Sequence, residues 1–215
     1  MKNTSLKLTI LAVTMLSHSA LSTANSHGQN IVENGKNGTT ACAICHGNDG
    51  AGNAAATLPR LAGLDKTYLA KQLNDFKTGS RSNPIMNGIA STLSETDINS
   101  VSAYLSELNT PAKRVKVSPE LSTLGEKLAT YGNWDKDIPA CFRCHGDQAQ
   151  GGGSAMPALA GQHQTYIQAQ LQSWKSGTRN NDPVGLMTAI TSRMSDTEIE
   201  AVSAYLSTLS PASTK

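Results

Sequence analysis

Cys42-Ala43-Ile44-Cys45-His46-Gly47 and Cys141-Phe142-Arg143-Cys144-His145-Gly146 are two copies of one pattern, and together they use all four cysteines of the chain. On one helical turn, two thiols at this spacing can add across the two vinyl groups of a haem. The following residue then sets an imidazole beneath the iron. Cys-x-x-Cys-His therefore reads as covalent haem attachment, and two haem c groups are expected. Two other readings compete. Cys-x-x-Cys forms tight disulfides in thioredoxin-like proteins, but beside a βαβ pattern that is not visible here. A closed zinc site needs four ligands, and neither half offers a second local pair.

The pattern recurs because the whole chain repeats. Leu58-Pro59-Arg60-Leu61-Ala62-Gly63 returns as Met156-Pro157-Ala158-Leu159-Ala160-Gly161. Tyr68 returns as Tyr166, Gln72-Leu73 as Gln170-Leu171, and Gly79-Ser80-Arg81 as Gly177-Thr178-Arg179. The run Val101 to Ser106 recurs unchanged at Val202 to Ser207. One period is about half the chain, so the expectation is two tandem domains of one design rather than a solenoid. The boundaries expected are 1–24 for an export signal, 25–110 for the first domain, 111–117 for a linker and 118–215 for the second domain.

The periodic segments read as helix. Leu69, Leu73 and Phe76 share one face, and Gly79 stands where that helix should end. Ser94 with Asp97 three residues on resembles a capping box, followed by the stripe Ile98, Val101, Leu105 and Leu108. Ser195, Glu198, Ile199, Val202, Leu206 and Leu209 repeat it. Ser118-Pro119 reads as an N-cap before a first-turn proline, with Leu121, Leu124 and Leu128 at helical spacing. No alternating strand stands out, and the fold class expected is all-α.

Lys2 and Lys7, the apolar run Leu8 to Leu16 and the small residues Ser22-Thr23-Ala24 form an export signal cleaved after Ala24, too short to span a bilayer. A periplasmic address follows, with membrane association left open. Cleavage removes two lysines and no acids, taking Lys+Arg from 18 to 16 against 16 Asp+Glu. The mature chain is then formally neutral. No basic footprint points to nucleic acid, and no later segment is long enough to cross a membrane. A monomer is expected. Its nine aromatic residues are a thin supply for two small cores, which a cofactor in each half would supplement.

His46 and His145 are the expected proximal iron ligands. The repeat selects the distal ones: Met86 and Met187 fall opposite each other, each three residues before an isoleucine. Met156 and Met194 fall opposite Leu58 and Leu93, which suits packing. Three extra residues precede Met187, so the two distal loops cannot be identical and the haems should differ in potential. Arg81 and Arg179 recur just before these loops. Each suits a haem propionate, or alternatively a solvated helix-end turn. His163 has no histidine counterpart; a surface or cap position near a helix start fits it better than iron ligation. His27, at the mature N-terminus, is expected to be disordered.

The tandem Cys-x-x-Cys-His-Gly domains, each followed by Pro-x-Leu-Ala-Gly, a Gly-x-Arg turn and a methionine, resemble the dihaem cytochromes c4. Ala160-Gly161-Gln162-His163 and Arg179-Asn180-Asn181-Asp182-Pro183 are especially similar to that family's second domain. The resemblance covers essentially the whole mature chain. It implies two class I cytochrome c domains about a pseudo-twofold axis, and the carbonyls of Pro59 and Pro157 as acceptors for the ligand imidazoles. It also implies one-electron transfer, from a quinol-oxidising complex to a terminal oxidase or reductase. No catalytic residue is expected. A cytochrome subunit of a sulfide-oxidising flavoprotein is the main alternative, and a dihaem peroxidase a more distant one.

Overall fold

A computed structural model describes residues 25–36, 38–113 and 115–211. The expected export signal, 1–24, lies outside the described residues. Regular structure within them is helical, with β pairing limited to isolated bridges such as Asn53 with Leu58. The first half runs through α1 (25–34), α2 (Ala43–His46), α3 (Lys66–Thr78), α4 (Met86–Ser91) and α5 (Glu95–Glu107). The second repeats this order as α6 (Pro119–Tyr131), α7 (Phe142–His145), α8 (Gln164–Lys175), α9 (Leu186–Thr191) and α10 (Asp196–Thr208).

Local chemistry sets the helix ends. The Asp65 carboxylate accepts from the amides of Thr67 and Tyr68 to open α3, and Gly79 closes it at φ 80°, a left-handed conformation. Ser94 with Asp97, and Ser195 with Glu198, form full capping boxes at the starts of α5 and α10. Ser118 caps α6, with Pro119 in its first turn. His27 departs from the expectation of disorder. It lies in α1, and its Nε2 is 2.9 Å from Asp97 Oδ1, so a buried carboxylate ties the first helix to the fifth.

Each half has its own apolar core. Ile31 and Val32 from α1 pack with Leu69, Ile98, Val101 and Leu105; Leu128 and Ile138 pack with Leu171, Ile199, Val202 and Leu206. The first and last helices of each half approach closely, and glycine permits it. A Cβ on Gly125 would lie 2.2 Å from Ala201 O, and one on Gly28 2.1 Å from Ser100 O. Two backbones meet there without side chains between them.

The halves join through a polar seam. Arg81 donates to Gln72 of its own half and to Tyr166 and Gln170 of the other. Arg179 donates to its own Gln170 and, across the seam, to Gln72. This reciprocal exchange between equivalent residues is what a pseudo-twofold arrangement requires.

Replacing Gly125 by alanine should cost about 1–3 kcal/mol in the second half, by forcing α6 and α10 apart; urea unfolding followed by circular dichroism measures it. The capping carboxylates predict a pH dependence as well. Burial pushes Glu198 up, but the Ser195 amide, Lys136, Asn133 and the Ser195 hydroxyl outweigh it and hold the group at about 2, against an ordinary 4.5. A depressed carboxylate stabilises the fold above its unfolded pKa and loses that contribution as pH falls through the folded value. Unfolding midpoints should therefore drop between about pH 4.5 and 2, and Glu198→Gln should flatten the drop.

Candidate functional site

The two Cys-x-x-Cys-His segments fold as single helical turns, α2 and α7. The turn is closed by backbone bonds from His46 N to Cys42 O (2.9 Å) and from His145 N to Cys141 O (3.0 Å). A turn of this kind presents both sulfurs and the imidazole together. They face a cavity of about 820 Å³ that runs through both halves, with Cys42, Cys45 and His46 on the wall in the first, and Cys141, Cys144 and His145 in the second. Met86 and Met187 also line it.

The imidazoles are fixed from behind. His46 Nδ1 lies 3.1 Å from Pro59 O and His145 Nδ1 lies 2.8 Å from Pro157 O. A carbonyl can only accept, so Nδ1 carries the proton and Nε2 keeps its lone pair. Burial pushes both histidines below their ordinary pKa, partly opposed by those carbonyls, and the rings are neutral near pH 7. Both features suit ligation of a metal. Burial also pushes the Cys141 thiol up to about 11 and raises Cys42. All four cysteines are free thiols here, and their Sγ atoms stand in for thioether sulfurs.

The loops before Met86 and Met187 differ, as the extra residues suggested. In the first half Asn83 Oδ1 accepts from the amides of Ile85 and Met86, and Asn87 Nδ2 holds Arg81 O. In the second half the carboxylate of Asp182 accepts from Met187 N at 2.7 Å, and Pro183–Gly185 forms a short 3-10 turn. Val184 at its tip has φ 52° and is 99% exposed. A left-handed conformation in a β-branched residue is strained, and the carboxylate cap below helps hold it.

Neither arginine is a solvated turn residue. Both are buried, with Arg81 over the Phe76 ring at 4.6 Å and Arg179 over the Trp174 ring at 3.9 Å. Burial and the nearby Arg81 charge lower the Arg179 pKa. Trp174 Nε1 is buried without a partner among the described residues, and its residue lines the cavity. Two buried guanidiniums and an unsatisfied indole N–H suit the acid groups of a large apolar cofactor. The donor set, the apolar volume and the sulfurs therefore fit a haem in each half.

The other singled-out residues fall as follows. Met194 is buried in the second core, whereas Met156 is 36% exposed at the cavity rim rather than packed. His163 stands at the N-cap position of α8 but caps nothing with its ring; its Nε2 lies 2.8 Å from Ala51 O in the other half. Sequence reasoning missed Gln72, Gln170, Asn181 and Trp174. Gln72 and Gln170 had a signal, since they recur in the repeat, but a glutamine on a helix is usually solvated.

Comparison with known proteins fits these features. The cytochrome c family model matches residues 28–109 and 124–210, one match per half. The thiosulfate dehydrogenase electron acceptor of Stutzerimonas stutzeri (strain A1501) is 47% identical over 166 residues, 77% of each chain. Cytochrome c4 of Pseudomonas aeruginosa is 35% identical over 189 residues, covering 86% of this chain and 91% of that one. Among solved structures, the as-isolated thiosulfate dehydrogenase from Marichromatium purpuratum superposes with a TM-score of 0.79 at 41% identity over 86% of this chain, which spans only 40% of that longer one. Reduced cytochrome c4 from Pseudomonas stutzeri gives 0.75 at 33% identity, covering 86% of this chain and 98% of that one. With two covalent haem sites on two tandem helical domains, the chain belongs to the cytochrome c family, as a dihaem electron-transfer protein of the cytochrome c4 group.

Proposed function

We propose that this cytochrome takes electrons from a thiosulfate dehydrogenase in the periplasm. The carrying observation is the pair of relatives described as thiosulfate dehydrogenase electron acceptors. They are 47% and 45% identical to this chain, against 32–38% for its cytochrome c4 relatives. The similarity to part of the longer thiosulfate dehydrogenase chain supports the same reading. The broader alternative, relay from a quinol-oxidising complex to a terminal oxidase or reductase, draws on the cytochrome c4 relatives. No helix among the described residues is long and apolar enough to cross a membrane.

His46 and Met86 in the first half, and His145 and Met187 in the second, would hold the haem iron. A haem bound in each half would supply one-electron Fe(III)/Fe(II) chemistry. The chain supplies the rest. Pro59 and Pro157 hold each imidazole in one tautomer and orientation. Asn83 and Asp182 fix the backbone that offers each thioether. The apolar wall excludes water, and a methionine in the distal position favours a raised potential. Arg81 and Arg179, buried at the cavity wall, would offer guanidinium donors to the haem propionates.

Substitution tests the ligands. Met86→Ala and Met187→Ala should each open one iron, so that carbon monoxide titration of the reduced variant finds one binding site per chain where the parent has none. The potential of the altered site should fall. Partner identity is tested by mixing the oxidised cytochrome with a thiosulfate dehydrogenase and thiosulfate and following the reduced absorption bands. Rapid, thiosulfate-dependent reduction is expected. Reduction by a quinol-oxidising complex alone would shift the assignment to the broader alternative.

A further inference from the structure

The first half's proximal loop is held by the second half, and the reverse brace does not exist in the same form. Gln162 is buried between them. Its side-chain carbonyl accepts from Arg60 N at 2.9 Å, and its side-chain amide donates to Arg60 O at 2.9 Å. One glutamine thus grips both backbone polar groups of a single residue. That residue follows Pro59, whose carbonyl accepts from the ring of His46.

The neighbouring residues extend the grip. His163 Nε2 lies 2.8 Å from Ala51 O, and Thr165 Oγ1 donates to Ala54 O at 2.8 Å. Ala51 adjoins Gly52, whose amide donates to His46 O at 2.9 Å. The second half therefore holds the loop around His46 on two sides, next to the acceptor of its ring and next to the donor to its backbone.

The repeat makes this asymmetric. Leu64 stands where Gln162 does, Asp65 where His163 does, and Ala158 where Arg60 does. Leucine has no polar side-chain atom with which to return the brace. Asp65 is committed to its own half, where it caps α3.

We propose that Gln162, supported by His163, is a positioning residue through which the second half tunes the iron of the first half by fixing the Pro59 carbonyl against His46. The proposal rests on His46 being an axial ligand. A firm Nδ1–H···O=C bond makes the imidazole a stronger donor and stabilises Fe(III). Loosening Pro59 should therefore raise the potential of the first haem and leave the second unchanged.

Gln162→Met keeps length and apolar volume while deleting both bonds, and Gln162→Leu copies the equivalent residue of the other half. Both are compared with the parent as dihaem proteins, by redox titration and by proton NMR of the histidine rings. The expected result is an upward shift confined to the first haem. In the reduced protein, the His46 ring N–H should exchange several-fold faster, as loss of part of one hydrogen bond would give, with His145 unaffected. Two equal shifts, no shift in a folded dihaem variant, or a change located at His145 would overturn the brace. If the His46 ring in the parent lacks an iron-induced shift, the ligand reading itself fails and takes the proposal with it. If that shift is present but the potential does not move, only the brace fails.

Discussion

The structure depends on filling one apolar cavity. A chain with nine aromatic residues builds two short-helix domains around a volume that its own side chains leave open. The covalent turn answers this constraint. Cys42 and Cys45 on one turn, and Cys141 and Cys144 on another, line that cavity where a covalent haem in each half would fill it.

The two domains agree in what holds the histidine of the Cys-x-x-Cys-His turn and diverge elsewhere around the cavity. Both donate the imidazole Nδ1–H to a proline carbonyl. At the methionine loops a neutral asparagine accepts from the Met86 amide in one half and a carboxylate from the Met187 amide in the other. Phe76 beneath Arg81 is replaced by Trp174 beneath Arg179, which adds an N–H that the first half lacks. Such differences in charge and hydrogen bonding are among the levers that separate the potentials of otherwise similar haems.

Much of this was legible because it is local. Ser94 with Asp97, Ser195 with Glu198, and Gly79 after Phe76 are signals spanning a few residues, and the helices begin and end there. Cys-x-x-Cys-His is likewise one turn. What escaped reading depends on partners far apart in the chain. His27 looked like a terminal residue until Asp97, 70 residues on, received it. Arg81 and Arg179 could be weighed only as propionate partners or solvated turns, since no local pattern announces a bond to the opposite half. Gly28 and Gly125 sit within otherwise good helices. Their reason, a crossing backbone, is invisible without the other helix.

The seam between the halves has a bearing on speed. Gln72 Oε1 accepts from Arg81, Arg179 and Asn181 together, so its dipole is pinned from three directions. Gln170 Oε1 is held by both arginines in the same way. Groups locked like this barely rotate when a charge arrives nearby, whereas water would reorient at once. A charge moving between the halves would therefore meet polar groups that are already arranged, and their share of the reorganisation energy would be small.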